Sequence, residues 1–222
     1  MKIAYINPNA SAGMTKAVVT AARHALPEAE ILGLTNTQGP AAIQGKEDGR
    51  AAVPGLLALL PVARAQGADA IVIACFDDTG LAEAQAQAGC PVLGIGQSSF
   101  VMAKLLGLRF SVVTSLPVSV PVIRENIRDQ GFSAQCASVR ASDLPVLTID
   151  RGGPAVIARI AQEIECARRE DNAACVILGC AGMAPLKDTL AARFGFAIID
   201  GVEASAQLAR AVATVQGRQQ PA

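Results

Sequence analysis

"AIVIACFDDTGL" at 70–81 and "ACVILGCAGMAPL" at 174–186 carry the same device. In each, a β-branched or apolar run ends on a cysteine, Cys75 or Cys180, followed by a turn of small or polar residues and a helical pattern. Short continuous apolar runs bounded by turn residues read as buried strands of a parallel sheet. The spacing repeats as well. Gly96, closing "PVLGIG", lies 21 residues beyond Cys75, and Gly201, closing "FAIIDG", lies 21 beyond Cys180. Upstream, Asn7 at the end of "IAYIN" precedes Cys75 by 68 residues, and Thr114 at the end of "SVVT" precedes Cys180 by 66. The chain reads as two copies of one β-α-β-α-β-Cys-α-β unit.

Working outward, apolar runs at 3–7, 30–34, 70–75, 92–95, 110–114, 146–149, 175–179 and 197–199 alternate with helical spacing at 13–25, 50–66, 118–130, 154–170 and 202–216. Strand–helix alternation predicts an α/β fold of parallel sheets with helices on both faces. Duplicated units of this kind pack about a pseudo-twofold axis. Equivalent strand ends then face each other, with Cys75 and Cys180 on opposite walls of one cleft. Two buried structural thiols are the plain alternative, since free cysteine behaves as a small hydrophobe.

Composition narrows the function. With 222 residues, half of them apolar and a formal net charge of zero, the chain can bury a sizeable core and shows no basic footprint for nucleic acid. No apolar run reaches the roughly 18 residues that span a bilayer. "MKIAYINPN" reads as a first strand and not as a signal peptide, so the six cysteines are expected to be reduced thiols of a cytoplasmic protein. Cys90, Cys136, Cys166 and Cys175 read as packing residues. His24, the single histidine, lies mid-helix, and no zinc-type ligand cluster is visible.

Each paired cysteine falls at the carboxyl end of a parallel strand, where open α/β sheets place their ligands. A helix start follows each, and its free N–H groups and dipole favour a thiolate. Without a nearby histidine, Cys–His hydrolysis is disfavoured. A redox pair normally sits closer in sequence than these 105 residues. Two thiols facing one another suit stereoinversion: one removes a proton from a carbon, and the other returns one to the opposite face. Asn7, Asn9, Ser11, Thr114 and Ser115 at the partner strand ends are neutral donors and acceptors for carbonyl and N–H groups, or else caps and turn formers.

Several motifs together resemble one family. "INPNASAGMT" at 6–15, "TNTQGPAAIQG" at 35–45, "IACFDDTGL" at 73–81 and "GIGQSSFVMAKLLGLRFSVVTSL" at 94–116 are similar to the hydantoin racemase branch of the aspartate/glutamate racemase superfamily. "CASVRASDLPVL" at 136–147, "VILGCAGMA" at 176–184 and "IIDGV" at 198–202 continue the match. The resemblance implies two pseudo-symmetric Rossmann-like halves with the active site between them. It assigns 1–96 plus 202–222 to the half with Cys75, and 97–201 to the half with Cys180. It also implies a two-base racemase without cofactor or metal, with Cys75 and Cys180 catalytic. Asn9, Ile43, Phe76, Asp77, Thr114, Ser115, Ala181 and Gly182 are implied as substrate contacts. The expected substrate is a 5-monosubstituted hydantoin; allantoin, then aspartate or glutamate, are the alternatives. A non-catalytic small-molecule binding protein is the reading from another class. The expected partners are the small-molecule substrate and further copies of the chain, with neither nucleic acid nor membrane.

Overall fold

The computed structural model describes residues 1–217, and in it the repeated pattern becomes two four-stranded parallel sheets. The first half runs β1 (Lys2–Asn7), α1 (Ala12–Ala25), β2 (Glu30–Thr35), α2 (Lys46–Ala58), α3 (Leu60–Ala65), β3 (Ala70–Ile73), α4 (Leu81–Gln87) and β4 (Val92–Gly94). Helix α5 (Ile95–Leu105) leads into the second half: β5 (Phe110–Thr114), α6 (Val120–Asp129), β6 (Cys136–Ala141), α7 (Val146–Arg151), α8 (Pro154–Glu170), β7 (Cys175–Gly179), α9 (Lys187–Phe194) and β8 (Ala197–Asp200). Helix α10 (Gly201–Gly217) closes the described chain. The strand orders are β2-β1-β3-β4 and β6-β5-β7-β8, one topology used twice.

Register makes the repeat exact at the site. Ile6 pairs with Ile73 in the first sheet and Val113 with Leu178 in the second. Cys75 and Cys180 each lie two residues past those partners, so they occupy equivalent places. The central strands β3, β5 and β7 are buried along their whole length, which is why they read as unbroken apolar runs.

Some expectations are corrected. The run at 146–149 is not a strand but the start of α7, with Val146 and Ile149 buried one helical turn apart. The Val146 N–H donates to Gln44 Oε1 at 3.0 Å and joins no ladder. The strand it stood in for is β6, a half-buried edge strand whose sequence CASVRA has no apolar run to betray it. The helix expected at 50–66 is two helices, broken at Leu59 ahead of Pro61, which has no N–H to continue the ladder. Helix α5 escaped notice. It buries Ile95, Gly96, Ser98, Ser99, Phe100 and Ala103, so it lacks the polar face that marks amphipathic helices. The strand runs expected at 70–75 and 92–95 end at Ile73 and Gly94. Residues 218–222 of the expected first half lie outside the described residues.

Helix α10 is tied to β1 and α1. Tyr5, fully buried in the centre of β1, donates its hydroxyl to Val202 O at 3.1 Å and lies 3.0 Å from Ser205 Oγ. Gln207 Nε2 reaches Ala25 O at 2.7 Å, and Arg210 pairs with Glu28. The starts of α5 and α10 meet: a Cβ on Gly201 would stand 2.8 Å from Ser99 Oγ, so only glycine permits the approach. Among the described residues no helix is long and apolar enough to cross a membrane.

Tyr5→Phe tests the α10 tie. It removes one buried hydroxyl while Ser205 keeps its bond to Val202 O, so unfolding free energy is expected to fall by about 1 kcal/mol, read from urea denaturation.

Candidate active site

The carboxyl ends of β1, β3, β5 and β7 converge on one narrow cleft. Both paired cysteines line it, together with Asn9, Met14, Ile43, Ala74, Phe76, Asp77, Thr114, Ser115, Ser119, Val146, Gly179 and Ala181. Of the eight contacts that the resemblance implied, only Gly182 is outside the lining; of the strand-end polar residues, Asn7 and Ser11 are outside it too. The place of Gly182 is beside the thiol: its N–H pulls the Cys180 pKa down, as the Asp77 N–H does for Cys75. The turn after each thiol repeats, with the Asp78 N–H donating to Cys75 O at 3.0 Å and the Met183 N–H to Cys180 O at 2.9 Å. Thr79 Oγ1 adds a bond to Cys75 at 3.5 Å.

The strand-end polar residues divide between scaffold and cleft. Asn7 is scaffold: its amide donates to Asn9 Oδ1 at 3.0 Å, to Ser11 O at 3.0 Å and to Thr15 Oγ1 at 3.1 Å. Ser11 caps α1 by accepting the Met14 N–H at 3.2 Å. Asn9 Oδ1 is occupied by Asn7 and by the Ser11 N–H, and the Asn9 amide nitrogen has the Met14 sulfur at 3.5 Å. That weak acceptor leaves a donor for a ligand. In the second half, the Thr114 hydroxyl donates to Gly179 O at 2.8 Å, which leaves its lone pairs toward the cleft. Ser142 Oγ fixes the Ser115 carbonyl at 3.2 Å.

Behind the cleft, the Asp78 carboxyl accepts from Gly96 N at 3.0 Å, Gln97 N at 2.7 Å and Gln130 Nε2 at 3.3 Å. It therefore caps α5 from the Cys75 loop. Sequence reading missed this residue, and it missed Met14, Ser119 and Val146 in the lining. Asp78 carried no local signal as a cap, because the helix it serves starts 17 residues later. Val146 was hidden by its reading as a strand, and nothing marked Met14 or Ser119 out from ordinary helix starts.

The Asp/Glu/Hydantoin racemase family model matches residues 3–209. The chain belongs to this family. A hydantoin racemase of Rhizobium meliloti is 43% identical over 215 residues, covering 96% of this chain and 88% of that protein. One from Pseudomonas sp. (strain NS671) is 37% identical over 213 residues, covering 96% and 86%. The solved structure of allantoin racemase from Klebsiella pneumoniae matches with a TM-score of 0.93 at 35% identity, covering 97% of this chain and 89% of that one.

The electrostatics of this racemase-family cleft run against one expectation. Helix starts beside the cysteines favour thiolates, yet here burial wins. It pushes the Cys180 thiol up to about 12 against the pull of the Gly182 N–H, with Asp77 and Asp150 adding to the rise. Burial first, then the charge of Asp77, drives Cys75 up as well. Burial and the neighbouring Asp78 raise the Asp77 carboxyl to about 7. At rest both sulfurs are thiols. All six cysteines are free. Among the described residues no cluster of three or more His, Cys, Asp or Glu is placed to hold a metal ion.

Peptide-resolved alkylation tests the resting state. Iodoacetamide is expected to react slowly with Cys75 and Cys180 near pH 7, at rates that climb with pH and reach no plateau below pH ~10, because the thiolate is the nucleophile. A plateau near pH 8 at either residue would contradict the burial effect.

Proposed function

We propose that this protein is a cofactor-independent racemase that interconverts D- and L-5-monosubstituted hydantoins, with Cys75 and Cys180 as its two bases. The observation that carries the reading is the pair of thiols at equivalent register positions on one cleft. One sulfur, as thiolate, takes the C5 proton; the C5–H electron pair moves onto the C4 carbonyl as an enolate. The opposite thiol then gives its proton to the other face of C5, the enolate collapses, and the two sulfurs have exchanged protonation states. No other reagent is consumed.

The raised thiol pKa values fit a weak carbon acid. A thiolate of high pKa is scarce but strongly basic, and proton transfer improves as the pKa of the base approaches that of the carbon. The Asp77 and Gly182 N–H groups each pull the neighbouring thiol pKa down, which steadies the thiolate when it forms. The Asn9 amide and the Thr114 and Ser115 hydroxyls supply neutral polar contacts to the ring carbonyls and N–H groups. Met14, Ile43, Phe76 and Val146 give the cleft apolar walls, which suit an alkyl or aryl group at C5. Racemisation of allantoin, itself a hydantoin with a ureido group at C5, is the second reading. The allantoin racemase structure that matches over nearly the whole chain favours it. A cytoplasmic, homo-oligomeric enzyme belongs to the same proposal, checked by cell fractionation and light scattering.

Polarimetry on enantiopure 5-alkylhydantoins, allantoin, aspartate and glutamate, without added cofactor, is expected to show loss of rotation for the hydantoins, unaffected by EDTA. Binding without loss of rotation would leave only a binding protein. Cys75→Ser and Cys180→Ser are each expected to lower racemisation by a factor of roughly a thousand or more, since removing one partner of a concerted pair forfeits its whole contribution. In D₂O, each variant is expected to exchange the C5 proton of one enantiomer only, a different one for each variant. Exchange of the same enantiomer by both variants, or wild-type racemisation by either, would refute the two-base assignment.

A further inference from the structure

The two halves match at the thiols in backbone but not in side chain. The turn after each cysteine repeats, with the Asp78 N–H bonded to Cys75 O at 3.0 Å and the Met183 N–H to Cys180 O at 2.9 Å, but the residue two positions past the cysteine is glycine in one half, Gly182, and aspartate in the other, Asp77. Asp77 lines the cleft, and among the described residues that do so it is the only carboxylate, with no Lys, Arg or His beside it. Its backbone carbonyl is already committed, accepting Asn126 Nδ2 at 2.8 Å from α6. Its side chain is not. Asp77 Oδ2 is buried and has no hydrogen-bond partner. Buried polar atoms are nearly always paired, and an orphan at the wall of a cleft calls for a ligand partner.

We infer that the Asp77 side chain, as a carboxylic acid, clamps the N3–H and C4=O edge of the hydantoin ring, accepting from the nitrogen and donating to the oxygen that becomes the enolate. The inference rests on the hydantoin reading above and extends it to the group that recognises the ring. The chemistry is complementary: a carboxylic acid and a cis-amide each offer one donor and one acceptor side by side, so two parallel hydrogen bonds form. The placement agrees. Asp77 shares the lining of the cleft with both thiols, so its carboxyl is within reach of a ring whose C5 lies between them, and C4 is bonded to that carbon. An anion there would oppose formation of either thiolate and of the enolate, whereas the acid form opposes neither and stabilises the oxyanion.

Protonation is available where it is needed. Burial and Asp78 raise Asp77 to about 7, so the acid is well populated at neutral pH. The titratable groups around it are Asp78 on its own loop and the Cys75 and Cys180 thiols. From the α6 side the loop meets Asn126 and Gln130, both neutral. The sign follows. The donor is lost as pH rises through about 7, while the thiolate fraction grows, so the two trends oppose each other in the wild type.

Steady-state racemisation of a 5-alkylhydantoin and its N3-methyl analogue, with wild type, Asp77→Ala and Asp77→Asn, tests this clamp. Wild type is expected to prefer the parent over the N3-methyl compound by about tenfold or more in kcat/KM. Asp77→Ala is expected to lose about tenfold on the parent and to discriminate little between the two. Asp77→Asn, whose carboxamide donates and accepts on the same edge, is expected to recover much of the activity and the discrimination. Its kcat/KM should also keep rising above pH 7 where the wild-type profile flattens. Undiminished N3-methyl discrimination in Asp77→Ala, or equal loss in the Asn and Ala variants with native circular dichroism, would overturn the clamp. A wild-type protein that racemises no hydantoin would instead remove the functional reading on which it stands.

Discussion

The Asp78 carboxyl is the constraint on which the geometry of the cleft depends. It sits three residues past Cys75 in the left-handed backbone region, at φ 48°. From there it takes the first free N–H groups of α5, at Gly96 and Gln97, and the Gln130 amide at the end of α6. Helix α5 is the segment that carries the chain from the first sheet into the second. One carboxyl therefore ties the loop bearing the first thiol to the helix that positions the second sheet. Gly96 shows how close the contact is, since a Cβ there would stand 2.9 Å from Asp78 Oδ2. The link continues through aromatic rings: Phe76, next to Cys75, meets Phe100 of α5 edge-on at 5.8 Å, and Phe100 stacks on Phe110 of β5 at 5.5 Å. Hydrogen bonds set the angle and the rings fill the space, so the sulfurs are held by the same elements that hold the halves.

That rigidity explains why the thiols sit where they are poorly ionised. A cleft walled by four strand ends and apolar side chains holds water back from both thiols, from the buried Cys180 more fully than from the half-buried Cys75, and desolvation outweighs the neighbouring N–H groups. The same dryness strengthens each dipole that meets an enolate, because fixed donors act more strongly in a low-dielectric site than in water. In the proposed reaction the scarcity of thiolate and the stabilisation of the enolate come from one cause. An open, wet cleft would relieve the first and forfeit the second.

Much of this architecture was legible because it is written in apolar runs. Central strands buried on both faces cannot alternate, so β3 and β7 with their terminal cysteines announce themselves, and their repetition gives the pseudo-symmetry. Elements with mixed surroundings did not. β6 is an edge strand, half exposed, and although ASVRA alternates, Val139 is its one large apolar side chain and its one buried residue, so no apolar run marks it. Helix α5 is buried nearly all round and has Gly96, Ser98 and Ser99 in its first turns, so neither periodicity nor propensity marks it. The contacts from 43, 76 and 181 came through family resemblance, and the structure places all three at the cleft. Asp78 was invisible as a cap, since a carboxylate capping a helix that starts 17 residues later leaves no local signature.

A duplicated fold could have given a symmetric cleft, and the proposed two-thiol racemisation of a flat hydantoin ring could not use one. Both enantiomers of a C5-substituted hydantoin present the same ring edge, and only the face carrying the C5 proton differs. The bases must therefore be equivalent, while the groups that hold the ring must not be, or the ring would bind in two flipped orientations with its carbonyl misplaced in one. The chain meets both demands at the level where duplication is free to diverge. Its backbone repeats, with the carbonyl of each cysteine bonded to the N–H three residues on, at Asp78 and Met183. Its side chains do not: the first half brings an amide and a carboxyl, Asn9 and Asp77, against the hydroxyls of Thr114 and Ser115 in the second. With strong hydrogen-bonding groups on one wall and weaker ones on the other, the ring has one favoured orientation, and the choice left to the enzyme is which sulfur reaches the proton.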